Sequence, residues 1–242
     1  MKLFTAVVTA LALASAGAAE AQTVLKYATQ LPKTHHLTKA DYRFAELVEE
    51  KSGGRLKVEV YPAGQLYSGP SLVKAVTSGA IEMGIVYGGA WTGPLPLIDL
   101  FDIPFLFGDY GAVQRALRGR TGELLRTEME KREVAKYTTL ANASYSIWPV
   151  MINLKSWNAF PADLKKVLEE AGAAHEGMTF ANAAGEDDES IKLLRKRQEV
   201  VHVLTAEERA EWAKRMDAVR AEWLSRAGKE GGDVLKWIGE GW

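Results

Sequence analysis

Between Tyr61 and Phe107 the chain reads YPAGQLYSGPSLVKAVTSGAIEMGIVYGGAWTGPLPLIDLFDIPFLF, short apolar runs divided by glycine and proline stops. Few folds fit this punctuation. An extended run ends at Tyr61–Pro62, and a turn follows at Gly64. Gly69–Pro70 opens a short helix, because proline at the first helical position gives up an N–H that has no intrahelical partner. Leu72, Val73 and Val76 give that helix one apolar side, and Ser78–Gly79 ends it. The apolar run Ile81–Val86 predicts a further strand, stopped by Gly88–Gly89. Strand, helix, strand is a βαβ unit, which implies a parallel sheet. Ligands of open α/β sheets sit beyond the carboxyl ends of the strands. That edge is Gly64–Gln65 after one strand and Tyr87–Gly88–Gly89–Ala90–Trp91 after the other, so the stretch reads as a small-molecule binding edge.

Three motifs in this stretch share their order and spacing with one family. They are Gly64–Gln65–Leu66, Ser78–Gly79–Ala80–Ile81–Glu82–Met83–Gly84 and Asp102–Ile103–Pro104–Phe105–Leu106–Phe107. The flanks Leu25–Lys26–Tyr27–Ala28–Thr29 and Gly53–Gly54–Arg55–Leu56–Lys57–Val58 fit as well. Together they resemble the extracytoplasmic solute receptors of tripartite ATP-independent periplasmic (TRAP) transporters, the DctP-like substrate-binding proteins. The resemblance implies two lobes that close over a small organic acid, which is then passed to membrane transporter subunits. It implies a ligand-facing role for Gln30, Gln65, Ser68, Tyr87 and Trp91 in the first lobe, with His35 a weaker candidate and Tyr145 near the hinge.

The first 21 residues read as a secretory signal peptide: Lys2, the apolar stretch Leu3–Ala14, and the small-x-small site Ala19–Glu20–Ala21 before Gln22. The expected compartment is therefore periplasmic. The chain has no Cys, which excludes disulfides, thiol catalysis and Cys-ligated metals. Its formal net charge of −1 and lack of a long basic cluster argue against a nucleic-acid partner. Arg195–Lys196–Arg197 reads as a solvated helix face. No G-x-S-x-G, Walker A or G-x-G-x-x-G pattern is present, so no enzyme activity and no cofactor are expected.

In chain order, Val24–Thr29 predicts a strand. Thr38 is expected to cap the next helix, with Asp41 completing a capping box. Gly53–Gly54 ends that helix, and Leu56, Val58 and Val60 alternate along a further strand. Adjacent His35 and His36 point in different directions with no carboxylate cluster beside them, so metal binding is not expected. Asp109 caps a helix carrying Val113, Ala116 and Leu117, and another runs from about Gly122 to Arg132.

At Arg132–Glu133 the resemblance breaks. The text from Glu133 to Asn142 resembles a segment much later in the family, so the stretch that forms most of the second lobe is missing. By resemblance, the arginine that clamps the substrate carboxylate goes with it. Arginine suits that task because its planar fork matches two oxygens. The arginines present lie on or beside predicted helices, apart from Arg55 at the amino end of a strand. No Arg follows the carboxyl end of a strand.

Beyond the break, Tyr145–Leu154 is an apolar extended run, and Pro149 predicts an edge strand or a hinge. Pro161 opens a long helix with a kink or break expected at Gly172, Gly177 or Gly185. Glu186–Asp187–Asp188–Glu189 reads as a solvated acidic run. A strand is expected at Val200–Val203, then a capping box at Thr205–Glu208. Trp212, Met216, Val219 and Trp223 predict one core-facing stripe, and Gly231–Gly232 a stop before a last turn at Val234–Ile238. The expected fold is α/β of the periplasmic solute-binding type. Residues 22–132 form a complete, parallel-rich first lobe. Residues 133–242 form a returning strand and long C-terminal helices, with the second lobe largely missing. A monomer is expected, or a dimer by exchange of the long helix. The competing expectation is a shortened receptor that no longer captures ligand and serves as a protein-interaction module or a remnant.

Overall fold

A computed structural model describes residues 22–131, 138–143, 146–197, 204–214 and 216–240. The expected signal peptide, Tyr145 and the strand expected at Val200–Val203 lie outside these residues.

A five-stranded sheet runs through the middle of the molecule, in the order β2-β1-β3-β5-β4. The strands are β1 (Thr23–Thr29), β2 (Leu56–Tyr61), β3 (Met83–Ile85), β4 (Thr138–Ala143) and β5 (Ser146–Ile152). β1 pairs in parallel with β2 and with β3. β5 pairs antiparallel with β3 and with β4, so it alone runs against the others. β3 is shorter than the apolar run predicts: Ile81 and Val86 are buried but lie outside the ladder. Pro149 does not mark an edge. β5 is flanked on both sides, and Pro149 is paired with Leu140 of β4. The β3 ladder stops at Ile85 opposite Val150, so Pro149 lies one residue past it, where the missing N–H breaks no bond to β3.

Side-chain alternation along the strands sends residues to two opposite cores. Leu25, Tyr27, Met83, Ile85, Val150 and Ile152 pack with α1 (His36–Lys51), α5 (Leu154–Ala159) and the first half of α6 (Ala162–Arg197). Ala28, Ile147 and Met151 face α2 (Gly69–Ser78), the 3-10 turns Gly88–Trp91 and Pro96–Asp102, α3 (Tyr110–Arg118) and α4 (Arg120–Lys131). The C-terminal helices α8 (Asp217–Ala227) and α9 (Lys229–Gly239) join this second core through Trp223 and Val234. α7 (Ala206–Lys214) precedes them.

Several helix boundaries follow local chemistry. Asp109 caps α3 by accepting from the Ala112 N–H at 2.7 Å. Gly79 closes α2 in the left-handed conformation at φ 76°. Thr205 and Glu208 form the reciprocal capping box, with bonds of 2.8 and 3.2 Å. Gly122 in α4 stands against the backbone of Leu117, whose carbonyl oxygen would lie 1.7 Å from an added Cβ. Only glycine lets α4 fold back this tightly on the end of α3.

Other expectations are corrected. His35, not Thr38, caps α1, its Nδ1 accepting from the Leu37 N–H at 3.2 Å. Thr38 and Asp41 are buried inside the helix. α6 runs unbroken through Gly172, Gly177 and Gly185, because tertiary contacts with α1 and β4 outweigh glycine's low propensity. Gly231 and Gly232 lie within α9, and the stop falls at Gly228, φ 72°. The tryptophan stripe is divided by the end of α7 at Lys214. Trp223 is 1% exposed, whereas Trp212 is 48% and Val219 40% exposed.

Candidate functional site

The carboxyl ends of β2, β1 and β3 lie side by side, and the segments leaving them form the candidate edge. After β2, Ala63 and Gly64 adopt positive φ values of 54° and 71°. Their N–H groups donate to Leu31 O at 2.8 Å and Thr29 O at 3.0 Å, tying the turn to the end of β1. Gln65 is exposed at the tip of this turn. Ser68 is the exposed N-cap residue of α2, and its N–H donates to Ser71 Oγ at 3.3 Å. Gln30 follows β1. Its Oε1 accepts from the Gly69 N–H at 2.9 Å, which fixes the start of α2 against the β1 loop. Among the described residues the Gln30 amide nitrogen has no partner.

Tyr87, after β3, is half-buried, and its ring meets Trp148 of β5 edge to face at 5.9 Å. Gly88 makes this approach possible, since a Cβ there would lie 3.2 Å from the Ile147 carbonyl oxygen. Gln30, Gln65, Ser68 and Tyr87 therefore share one end of the sheet. Trp91 does not face that edge. It is 1% exposed within the second core, and its indole N–H has no hydrogen-bond partner among the described residues. The 3-10 turn Gly88–Trp91 winds the chain inward, which alternation along an extended run does not anticipate. His35 is committed to capping α1, and its ring stacks on His36 at 4.5 Å.

A groove of about 1030 Å³ lies between the amino end of α1 and the second half of α6. Its lining includes His36, Lys39, Gly185, Glu189, Lys192 and Lys196. Among the described residues its charged lining is three lysines and one glutamate, and Lys192 bonds that carboxylate at 2.7 Å. The lysines of α6 escape a motif search because they follow no strand. The signal available in the sequence is their spacing: Gly185, Glu189, Lys192 and Lys196 recur at helical intervals on one face, with glycine leaving room between them.

Behind the groove, α6 is fastened to α1 and β1 by a fully buried polar cluster. Asp41 Oδ1 accepts from the Tyr27 hydroxyl at 2.7 Å and lies 2.8 Å from His175 Nε2. Burial first, and the Asp41 carboxylate second, push the Tyr27 hydroxyl well above its usual pKa. This arrangement takes no part at the edge itself; it holds the helix that supplies the lysines.

A parallel-rich α/β sheet with polar side chains gathered at its carboxyl ends and a lysine-bearing groove has the architecture of a periplasmic solute-binding protein. The sequence profile of bacterial extracellular solute-binding proteins, family 7 (DctP), matches residues 27–133 and again 131–226. The chain belongs to this family. The C4-dicarboxylate-binding periplasmic protein DctP of Rhodobacter capsulatus is 25% identical over 313 aligned residues, covering 92% of this chain and 93% of that protein. The C4-dicarboxylate-binding protein DctB of Bacillus subtilis is 34% identical over 114 residues, 47% of this chain and 32% of its own. A TRAP periplasmic solute-binding protein from Sulfurospirillum deleyianum, solved with bound succinate, superposes with a TM-score of 0.75 at 19% identity. It covers 90% of this chain and 98% of that one.

An alignment of 313 positions exceeds the 242 residues of the chain, so residues of the relative lie opposite a gap. The two profile matches meet at 131–133, where the sequence resemblance breaks. The second lobe is shortened at that point. The family and the structural neighbours are substrate-binding receptors, not enzymes. Among the described residues, no helix is long and apolar enough to cross a membrane.

Proposed function

We propose that this protein is an exported, periplasmic receptor that captures a small organic acid for the membrane subunits of a TRAP-type transporter. The observation that carries the reading is the groove lined by Lys39, Lys192 and Lys196 in a solute-binding fold. C4-dicarboxylates are the first class to test, since the Rhodobacter and Bacillus relatives are dicarboxylate-binding proteins by name. Lys39, Lys192 and Lys196 attract the carboxylates in place of the family's arginine, while Gln30, Gln65, Ser68 and Tyr87 offer polar atoms and a ring face at the edge. Lysine is a point charge without arginine's fork, so this site discriminates among acids less sharply. Residues 22–132 act as the complete lobe and residues 133–242 as its support, in a monomeric receptor.

A thermal melt of the full chain with and without a panel of mono- and dicarboxylic acids tests the reading. A ligand at a hundred times its Kd adds about 2.7 kcal/mol to stability by mass action, which raises the melting temperature. A cooperative melt that no acid moves overturns capture. It supports the second reading, a shortened receptor without ligand, which the gap at 131–133 and the exposed Trp212 and Val219 favour.

A further inference from the structure

The corner between α3 and α4 places three arginines within six residues, Arg115, Arg118 and Arg120, and α9 brings Trp237 against them. Together with Gln114 and Gly119 they line a pocket of about 440 Å³, within the size range of small-molecule sites. None of the six lining residues is acidic. Glu176 of α6 accepts from Arg118 Nε at 2.8 Å. Glu240 Oε2 is 3.9 Å from Arg120 Nη2, too far for a hydrogen bond. Arg115 has no carboxylate partner among the described residues. Among the described residues, three guanidinium groups thus meet one hydrogen-bonded carboxylate, Glu176, and a second at ion-pair distance, Glu240.

Helix electrostatics accounts for two of them. Arg115 and Arg118 stand in the last turn of α3, where cations offset the unpaired carbonyls. Arg120 has no such reason. It opens α4, where the helix dipole is positive and a cation is disfavoured. Its guanidinium lies over the Trp237 ring at 5.3 Å from the centroid, a cation–π contact that holds it in place. The α4 backbone N–H groups of the first turn also lack intrahelical acceptors. Arginine forks, an indole face and a helix start in one pocket are complementary to an anion with paired oxygens.

We infer that this corner is an anion-binding site separate from the receptor groove. It takes a small oxyanion, a carboxylate or a phosphate, between Arg115 and Arg120 and against Trp237. The groove and this pocket have no lining residue in common, so the inference does not depend on the proposed receptor function.

The test is a titration of the ¹⁵N-labelled full chain with succinate, inorganic phosphate and chloride, followed by NMR. The Trp237 indole N–H signal is assigned by its loss in Trp237→Phe. Saturable movement of that signal with succinate or phosphate, but not with chloride at equal ionic strength, is expected. Whichever anion saturates names the source. Arg115→Gln/Arg120→Gln is expected to weaken this response at least tenfold, and Lys192→Gln/Lys196→Gln to leave it unchanged. Should the double arginine variant fail to fold, Arg120→Lys keeps the charge and loses the fork, and a severalfold weakening is expected. A Trp237 signal that fails to saturate with either anion overturns the site. So does a well-folded arginine variant, double or Arg120→Lys, that titrates with wild-type affinity.

Discussion

Asp41 and His175 lie 134 positions apart in the sequence, yet Asp41 Oδ1 is 2.8 Å from His175 Nε2 and both side chains are fully buried. This contact, with the Tyr27 hydroxyl on the same oxygen, is the polar fastening between α1, β1 and α6. Removing either partner leaves the other buried without its bond, a loss of about 3 kcal/mol or more. Asp41→Ala and His175→Ala are each expected to lower the unfolding free energy, measured by urea titration, by that amount. The double variant is expected to lose clearly less than their sum. Additive losses would show that the two side chains do not interact.

Tyr27 gives the fold an alkaline limit. Its folded-state pKa is raised, chiefly by burial and then by Asp41, so the neutral hydroxyl is the form that folding favours. The stabilisation is complete below the unfolded value of about 10. It is lost as pH rises from there through the raised folded value. Stability of the wild type is expected to fall more steeply above pH 10 than that of Tyr27→Phe, as measured by urea unfolding at pH 8 to 11. Parallel curves would remove Tyr27 from the alkaline response.

Gly122→Ala drives a methyl group into the Leu117 carbonyl, a backbone atom that no rotamer change can move aside. The α3–α4 corner must open, at a cost of about 3 kcal/mol. A loss of unfolding free energy of this order, with a lowered melting temperature, is expected, together with loss of any anion response at Trp237. Wild-type stability in this variant would mean that the corner is looser than described.

The two tryptophans of the C-terminal pattern are expected to behave oppositely. Trp223→Ala removes a core side chain and costs about 3–5 kcal/mol. Trp212→Ser changes a half-exposed residue and stays within about 0.5 kcal/mol. Equal losses would restore a single core-facing stripe.

At the receptor edge, Tyr87→Ala is expected to remove the acid-induced rise in melting temperature, with the unliganded melting point nearly unchanged. Lys192→Gln/Lys196→Gln is expected to weaken acid binding at least tenfold. A full ligand response in both variants would place the site elsewhere.

The legible parts of this fold were those written locally. Val24–Thr29 was read as β1, alternation gave β2, Gly69–Pro70 and Gly79 bounded α2, and Asp109 announced α3. The carboxyl edge at Gln65 and Tyr87 followed from that βαβ reading, while Gln30 and Ser68 came from the family resemblance, and all four lie at one end of the sheet. What escaped depends on distant partners. Asp41 looks like a capping residue until His175 is placed against it. Trp91 looks ligand-facing until a 3-10 turn winds it into the core. Trp212 and Trp223 have helical spacing, but a boundary at Lys214 places them on different helices. Lys192 and Lys196 read as solvated helix face, because only the packing of α6 on α1 creates a groove for them to line.

The position of β5 sets the order in which the molecule can be completed. β3, three residues long, has β1 on one side and β5 on the other, and β5 is made some sixty residues after β3. A chain emerging from synthesis therefore presents β1, β2 and β3 as an open sheet with an unpaired edge. That edge closes only when residues 146–152 arrive, and the Asp41 fastening only after His175. Contacts of such long sequence separation slow folding. The first half alone exposes apolar surface and an edge open to other chains, so a polypeptide arrested before β5 is the form most prone to aggregate.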